Sequence, residues 1–148
     1  MEEVRKAAHD TMFKGKIAFV SDYSWFIAQK FVSGSDIWLN TPVRGFEACG
    51  TSGMKAGLNG SIMASVSDGW MDEVDWKGVG WILANDNKDL APSIYDALEK
   101  EILPEFYSRN ALGIPEAWVK RMRATMSIVM NNFSTAKMVE EYNKKMYS

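Results

Sequence analysis

Val4, Ala7, Ala8 and Met12 recur at helical spacing, so residues 2–12 read as a short amphipathic helix. Gly15 interrupts that pattern, and Lys16 to Val20 reads as a short strand. Ser21 and Asp22 can cap a following helix, in which Trp25, Phe26, Ala28 and Phe31 share a face and which Gly34 ends. Apolar runs at Asp36 to Asn40, Ser61 to Ser67 (with an alternating tendency) and Val79 to Leu83 read as further strands. Between the first two of these, a helix starts near Thr51 and stops at Asn59-Gly60. From Asp89 onward the chain turns helical. Leu90, Ile94, Ala97, Leu98 and Ile102 form one stripe; Pro115 opens a helix that buries Trp118, Val119, Met122, Met126 and Val129. Ser134 caps a last helix with Met138, Val139, Tyr142 and Met146 turned inward. Strand alternating with helix predicts an α/β fold: a parallel, Rossmann-like sheet with helices on both faces, followed by C-terminal helices over 115–148. One domain over 1–148 is expected, since 148 residues at 47% hydrophobic can bury one core.

Composition narrows the function classes. A net charge of −2 gives no electrostatic reason to expect nucleic acid or an anionic membrane as partner. A single Cys excludes an internal disulfide framework and suits a reducing, cytoplasmic setting. The start, MEEVRKAAHD, lacks the apolar run of a signal peptide, and no stretch approaches ~20 apolar residues. Six Trp and ten Met suggest a large apolar surface, part of it an interface left open.

Chemistry concentrates in residues 36–60, DIWLNTPVRGFEACGTSGMKAGLNG. A strand, a loop of small residues and the start of a helix make a main-chain cradle for an anion. The first turn of a helix has unpaired N–H groups and a partial positive charge, and glycine allows close approach. Lys55, expected on that first turn, lies where the dipole and loss of water favour a neutral amine. An aldehyde cofactor that carries a phosphate needs that pairing of amine and cradle. Two other readings of the spacing stand beside it. The loop is a near miss for a Walker A motif, with Thr51 where Lys is required; or it is a glycine-rich turn that only lets a helix pack on a sheet.

The run Glu47-Ala48-Cys49-Gly50-Thr51-Ser52-Gly53-Met54-Lys55 resembles the E-A-S-G-T-x-x-M-K signature of the α-glucan phosphorylases, the glycogen, starch and maltodextrin phosphorylases. DIWLNTP, LNG at 58–60 and DGW at 68–70 are similar to the bacterial and archaeal branch of that family. The likeness runs from GKIAFV to FSTAKMVEEY and matches only the C-terminal part of a much longer family member. It implies that Lys55 holds pyridoxal phosphate as a Schiff base. It also implies that Thr51 and Ser52, with Gly53 beside them, bind the cofactor phosphate, and that Tyr23 lies next to the cofactor. Glu47, with the main chain of Ala48, Cys49 and Gly50, would grip hydroxyls of the transferred glucosyl unit. Cys49 replaces the usual Ser, which a main-chain contact tolerates. The implied reaction is phosphorolysis of α-1,4-glucan with retention, releasing glucose 1-phosphate, in a GT-B-type glycosyltransferase whose site lies between two Rossmann-like domains. This chain would then be half of a cleft, inert alone, and partnered by the missing N-terminal phosphorylase portion or by a second copy. The alternative is a non-catalytic sugar- or protein-binding module derived from the same family.

Other constellations carry less. Cys49 near a helix start could be a nucleophile, but His9, the one His, sits on a helix expected to be exposed. One His and one Cys give a metal site no support. Asp68, Asp72, Glu73 and Asp75 could suggest a carboxylate pair, yet read more simply as a solvated loop.

Overall fold

The structure, a computed structural model, describes residues 2–147. The backbone divides into two compact units, residues 1–30 and 31–148.

In the first unit, α1 (Glu2–His9) is followed by a single tight turn, Thr11–Phe13, capped by Asp10, whose Oδ1 accepts from the Met12 amide at 2.8 Å. Residues 16–20 form no strand, contrary to the sequence pattern. A strand needs a ladder partner, and the first unit supplies no strand among the described residues; Ile17 and Val20 stay exposed. The cap of α2 (Trp25–Gly34), whose residues from Phe31 onward belong to the second unit, is also not Ser21-Asp22. Asp22 is left-handed at φ 57°, whereas an N-cap needs extended backbone; Ser24 takes the role, accepting from the Ile27 amide at 3.3 Å. The face that Trp25, Phe26 and Phe31 share is exposed, and Val32 is the buried residue of α2.

The second unit carries β1 (Ile37–Asn40), α3 (Thr51–Leu58), β2 (Ile62–Val66) and β3 (Trp81–Leu83). The strands form one parallel sheet in the order β1-β2-β3, with Ile37 opposite Ile62, Asn40 opposite Ser65 and Ala64 opposite Trp81. β2 does not alternate between core and solvent. All five of its residues are buried, as expected for a central strand covered on both faces. Its side chains divide between two cores. Met63 packs with Ala56, Trp70, Met71, Trp76 and Val129 on one face; Ile62 and Ala64 pack with Trp81, Ile102 and Trp118 on the other.

α4 (Asn87–Ala97) runs through a wide π turn, Leu98–Ile102, into α5 (Leu103–Tyr107), and these cover the second face. α6 (Glu116–Phe133) serves both cores, with Trp118 near its start in one and Val129 in the other. It approaches α3 closely: a Cβ on Gly57 would stand 3.0 Å from a Val129 methyl. A parallel α/β sheet with helices on both faces is therefore what the second unit forms, with three strands among the described residues.

Of the apolar surplus, Trp70, Trp76, Trp81 and Trp118 are core residues, and the indole N–H groups of Trp76 and Trp81 find partners in Met71 O and Glu101 Oε2. α7 (Thr135–Met146) is capped by Ser134 as expected, but Met138, Val139, Tyr142 and Met146 are exposed. Periodicity marks a face suited to burial; it does not say that this chain supplies the cover.

Candidate functional site at the start of α3

The site grows from the C-terminal ends of adjacent parallel strands, where α/β sheets place ligands. Residues 41–50 leave β1 and return to start α3, while residues 67–73 leave β2. The two loops lie directly on one another. Trp70 N donates to Cys49 O at 3.2 Å, and a Cβ on Gly69 would stand 2.9 Å from Cys49 O and 3.0 Å from Glu47 O.

Asp68 is the knot between them. It is 7% exposed, not solvated as the sequence suggested. Its Oδ2 accepts from the Gly45 and Glu47 amides at 2.9 and 3.0 Å, and its Oδ1 from the Gly69 amide at 2.9 Å. The Glu47 amide holds the Asp68 carboxyl below the usual carboxylate range, against the opposing effect of burial, with the Gly69, Gly45 and Phe46 amides adding to it. Alongside, Arg44 pairs with Asp72 at 3.5 Å, and the Ser67 hydroxyl donates to Asp72.

Glu47 is half-buried, and both carboxylate oxygens accept from Asn40 Nδ2, at 2.9 and 3.2 Å. Gly50 precedes α3 at φ 87°, a conformation glycine adopts freely. A Cβ there would overlap Glu47 Oε1 and stand 3.2 Å from Trp70. Gly53 is buried on Trp70 as well, where a Cβ would crowd the indole at 3.1 Å, and its amide donates to Gly50 O at 3.0 Å. These two glycines thus admit Trp70 and Glu47. An open cavity of about 500 Å³, lined by Pro42, Val43, Phe46 and Glu47, adjoins the loop.

No side chain caps α3 at Gly50, so its opening turn offers main-chain amides and the exposed hydroxyl residues Thr51 and Ser52. Lys55 is exposed and belongs to the last turn of this eight-residue helix, not the first. It nevertheless follows Thr51 by four residues on the same face, and a long helical side chain covers the turn before it. Ala48 and Cys49 are exposed on the loop. Tyr23 belongs to the first unit and is exposed. The structure therefore brings Glu47, Gly50, Thr51, Ser52 and Lys55 into one loop-and-helix segment. Sequence reasoning missed Asp68 and Asn40 as its supports.

Residues 4–77, half of the chain, match the family model described as Carbohydrate phosphorylase. That span contains Tyr23 and every residue just placed from Asn40 to Asp72. The whole chain is similar to a glycogen phosphorylase of Aquifex aeolicus, 38% identical over 22% of that protein's length. It is likewise similar to a maltodextrin phosphorylase of Thermococcus litoralis (38% identical, 18% of its length) and a glycogen phosphorylase of Mycobacterium bovis (36%, 18%). The chain spans about a fifth of the length of these relatives. No helix among the described residues is long and apolar enough to cross a membrane.

Proposed function

Because this chain belongs to the carbohydrate phosphorylase family, we propose that it is the cofactor- and glucosyl-binding segment of an α-glucan phosphorylase. The reaction it serves transfers a glucosyl unit from the non-reducing end of an α-1,4-glucan to phosphate, with retention, and releases glucose 1-phosphate. The observation that carries this reading is the start of α3. An uncapped helix of eight residues presents Thr51 and Ser52 at its opening and Lys55 one turn later, beside a loop that holds Glu47 in place.

The segment suits pyridoxal phosphate. The amides and hydroxyls of Thr51 and Ser52 can take its phosphate, the Lys55 amine its aldehyde carbon, and Gly53 serves by letting Trp70 close underneath. When bound, that group supplies a phosphate able to exchange a proton with the substrate phosphate. Glu47 accepts hydrogen bonds from sugar hydroxyls with the oxygen lone pairs that Asn40 leaves free, and the main chain of Ala48, Cys49 and Gly50 donates alongside. The other wall, and the cations that hold substrate phosphate, come from the remaining portion of a phosphorylase polypeptide or from an assembled partner copy, in the cytoplasm. The isolated chain is inert.

The test is a chimera in which residues 2–147 replace the matching segment of the Aquifex aeolicus relative. Glucose 1-phosphate release that needs pyridoxal phosphate and disappears with Lys55→Ala supports the proposal. A folded chimera that binds the cofactor yet releases none overturns it.

A further inference from the structure

Glu47 is placed by its own side chain only in part; its direction is set by what holds its main chain. We propose that Asp68 is the positioning residue of this site, its carboxylate tying the backbone at Gly45 and Glu47 to the loop after β2 so that Glu47 faces the ligand. The inference rests on the reading of Glu47 as a sugar-binding group.

Three amides from two loops converge on one carboxylate, at 2.9, 3.0 and 2.9 Å, and no cation pairs with it among the described residues. The main-chain contacts run the other way too, through Trp70 N to Cys49 O. Neither neighbouring residue type can replace this group. Asn would turn an NH2 toward one set of N–H donors, leaving at least one amide facing a donor. Glu adds a methylene to a side chain that is 7% exposed and has no slack. With the tie cut, the β1–α3 loop loses its side-chain anchor at Gly45 and Glu47 and keeps the Asn40 contact to Glu47, the short turn in which Phe46 N donates to Val43 O at 3.0 Å, the Trp70 N to Cys49 O bond and the Arg44–Asp72 pair. The charged groups around the tie are Glu47 on its own loop and the Arg44–Asp72 pair spanning both loops.

The experiment is NMR on the 15N-labelled 148-residue chain. In the wild type the Gly45, Glu47 and Gly69 amide shifts should titrate together with a single midpoint. In Asp68→Asn that titration should vanish, the Gly45 and Glu47 amides should exchange about ten-fold faster or more, and the Asn40 side-chain NH2 resonance should move, while β2 amides hold. Unchanged exchange at Gly45 and Glu47, an unmoved Asn40 resonance, or three separate midpoints in the wild type would overturn the proposal. The wild-type titration decides the matter even if the variant folds poorly. Glu47→Gln should leave the three-amide titration intact. A wild type that shows the tie but never takes pyridoxal phosphate at Lys55 points instead to failure of the functional reading.

Discussion

Replacing Gly50 by alanine tests whether the start of α3 is built as described. Two separable costs follow from the geometry. At φ 87° an L-residue carries about 1–2 kcal/mol of left-handed strain that glycine escapes. The new Cβ also overlaps Glu47 Oε1, so the carboxylate must swing away and give up its Asn40 hydrogen bonds, about 1 kcal/mol for a half-buried group. The total, about 2–3 kcal/mol, is a large share of the ~5–15 kcal/mol that holds a domain folded. For a chain of this size it lowers Tm by about 5–10 °C. Urea unfolding followed by Trp fluorescence reads the loss, with the slope unchanged. In a Glu47→Ala background the overlap has no partner, so Gly50→Ala should then cost only the backbone strain, a coupling of about 1 kcal/mol. Equal losses in both backgrounds, or a Gly50→Ala variant within about 0.5 kcal/mol of wild type, would refute the reasoning.

Three further outcomes follow from the same contacts. Thr125 Oγ1 is fully buried without a hydrogen-bond partner among the described residues, so Thr125→Val should stabilise the protein by about 1 kcal/mol in urea unfolding. Trp70 is 1% exposed, packs edge-on against Trp76 and Phe133, and floors both Gly50 and Gly53; Trp70→Ala should cost about 3–5 kcal/mol and erase much of the near-UV circular dichroism. The Asp68 carboxyl titrates below its ordinary value when folded, so its contribution is complete above that value and is lost as pH falls through the folded one. Asp68→Asn should therefore be less stable at neutral pH, with a flatter loss of stability below about pH 4 in acid titration.

The regular elements of the second unit were legible because local signals agreed there. Asp36–Asn40, the Asn59-Gly60 stop and the run at 61–67 each carried one pattern, and the structure places β1, the end of α3 and β2 there. The chemistry-bearing run Glu47–Lys55 was legible for the same reason, being contiguous. Asp68 was not. Two of its three amide partners lie 21 and 23 residues away, and no spacing rule links a loop acid to a distant backbone. Lys16–Val20 has strand-like composition, but a strand is a property of a pair, and no partner strand accompanies it among the described residues of its unit. The stripe on α7 was read correctly as an apolar face and wrongly as a buried one, since a pattern reports demand for cover and not its source. The burial of Trp70 and Met71 was not legible, because a 3-10 turn leaves no periodic trace.

If the amine of Lys55 and the start of α3 form one site for an aldehyde bearing a phosphate, incubating the chain with pyridoxal phosphate, reducing with borohydride and mapping the modified peptides will find it. Lys55 should carry the label in preference to exposed lysines elsewhere, such as Lys16, Lys88 and Lys120, and inorganic phosphate should compete with it. Label spread evenly over those lysines, or absent from Lys55, would contradict it.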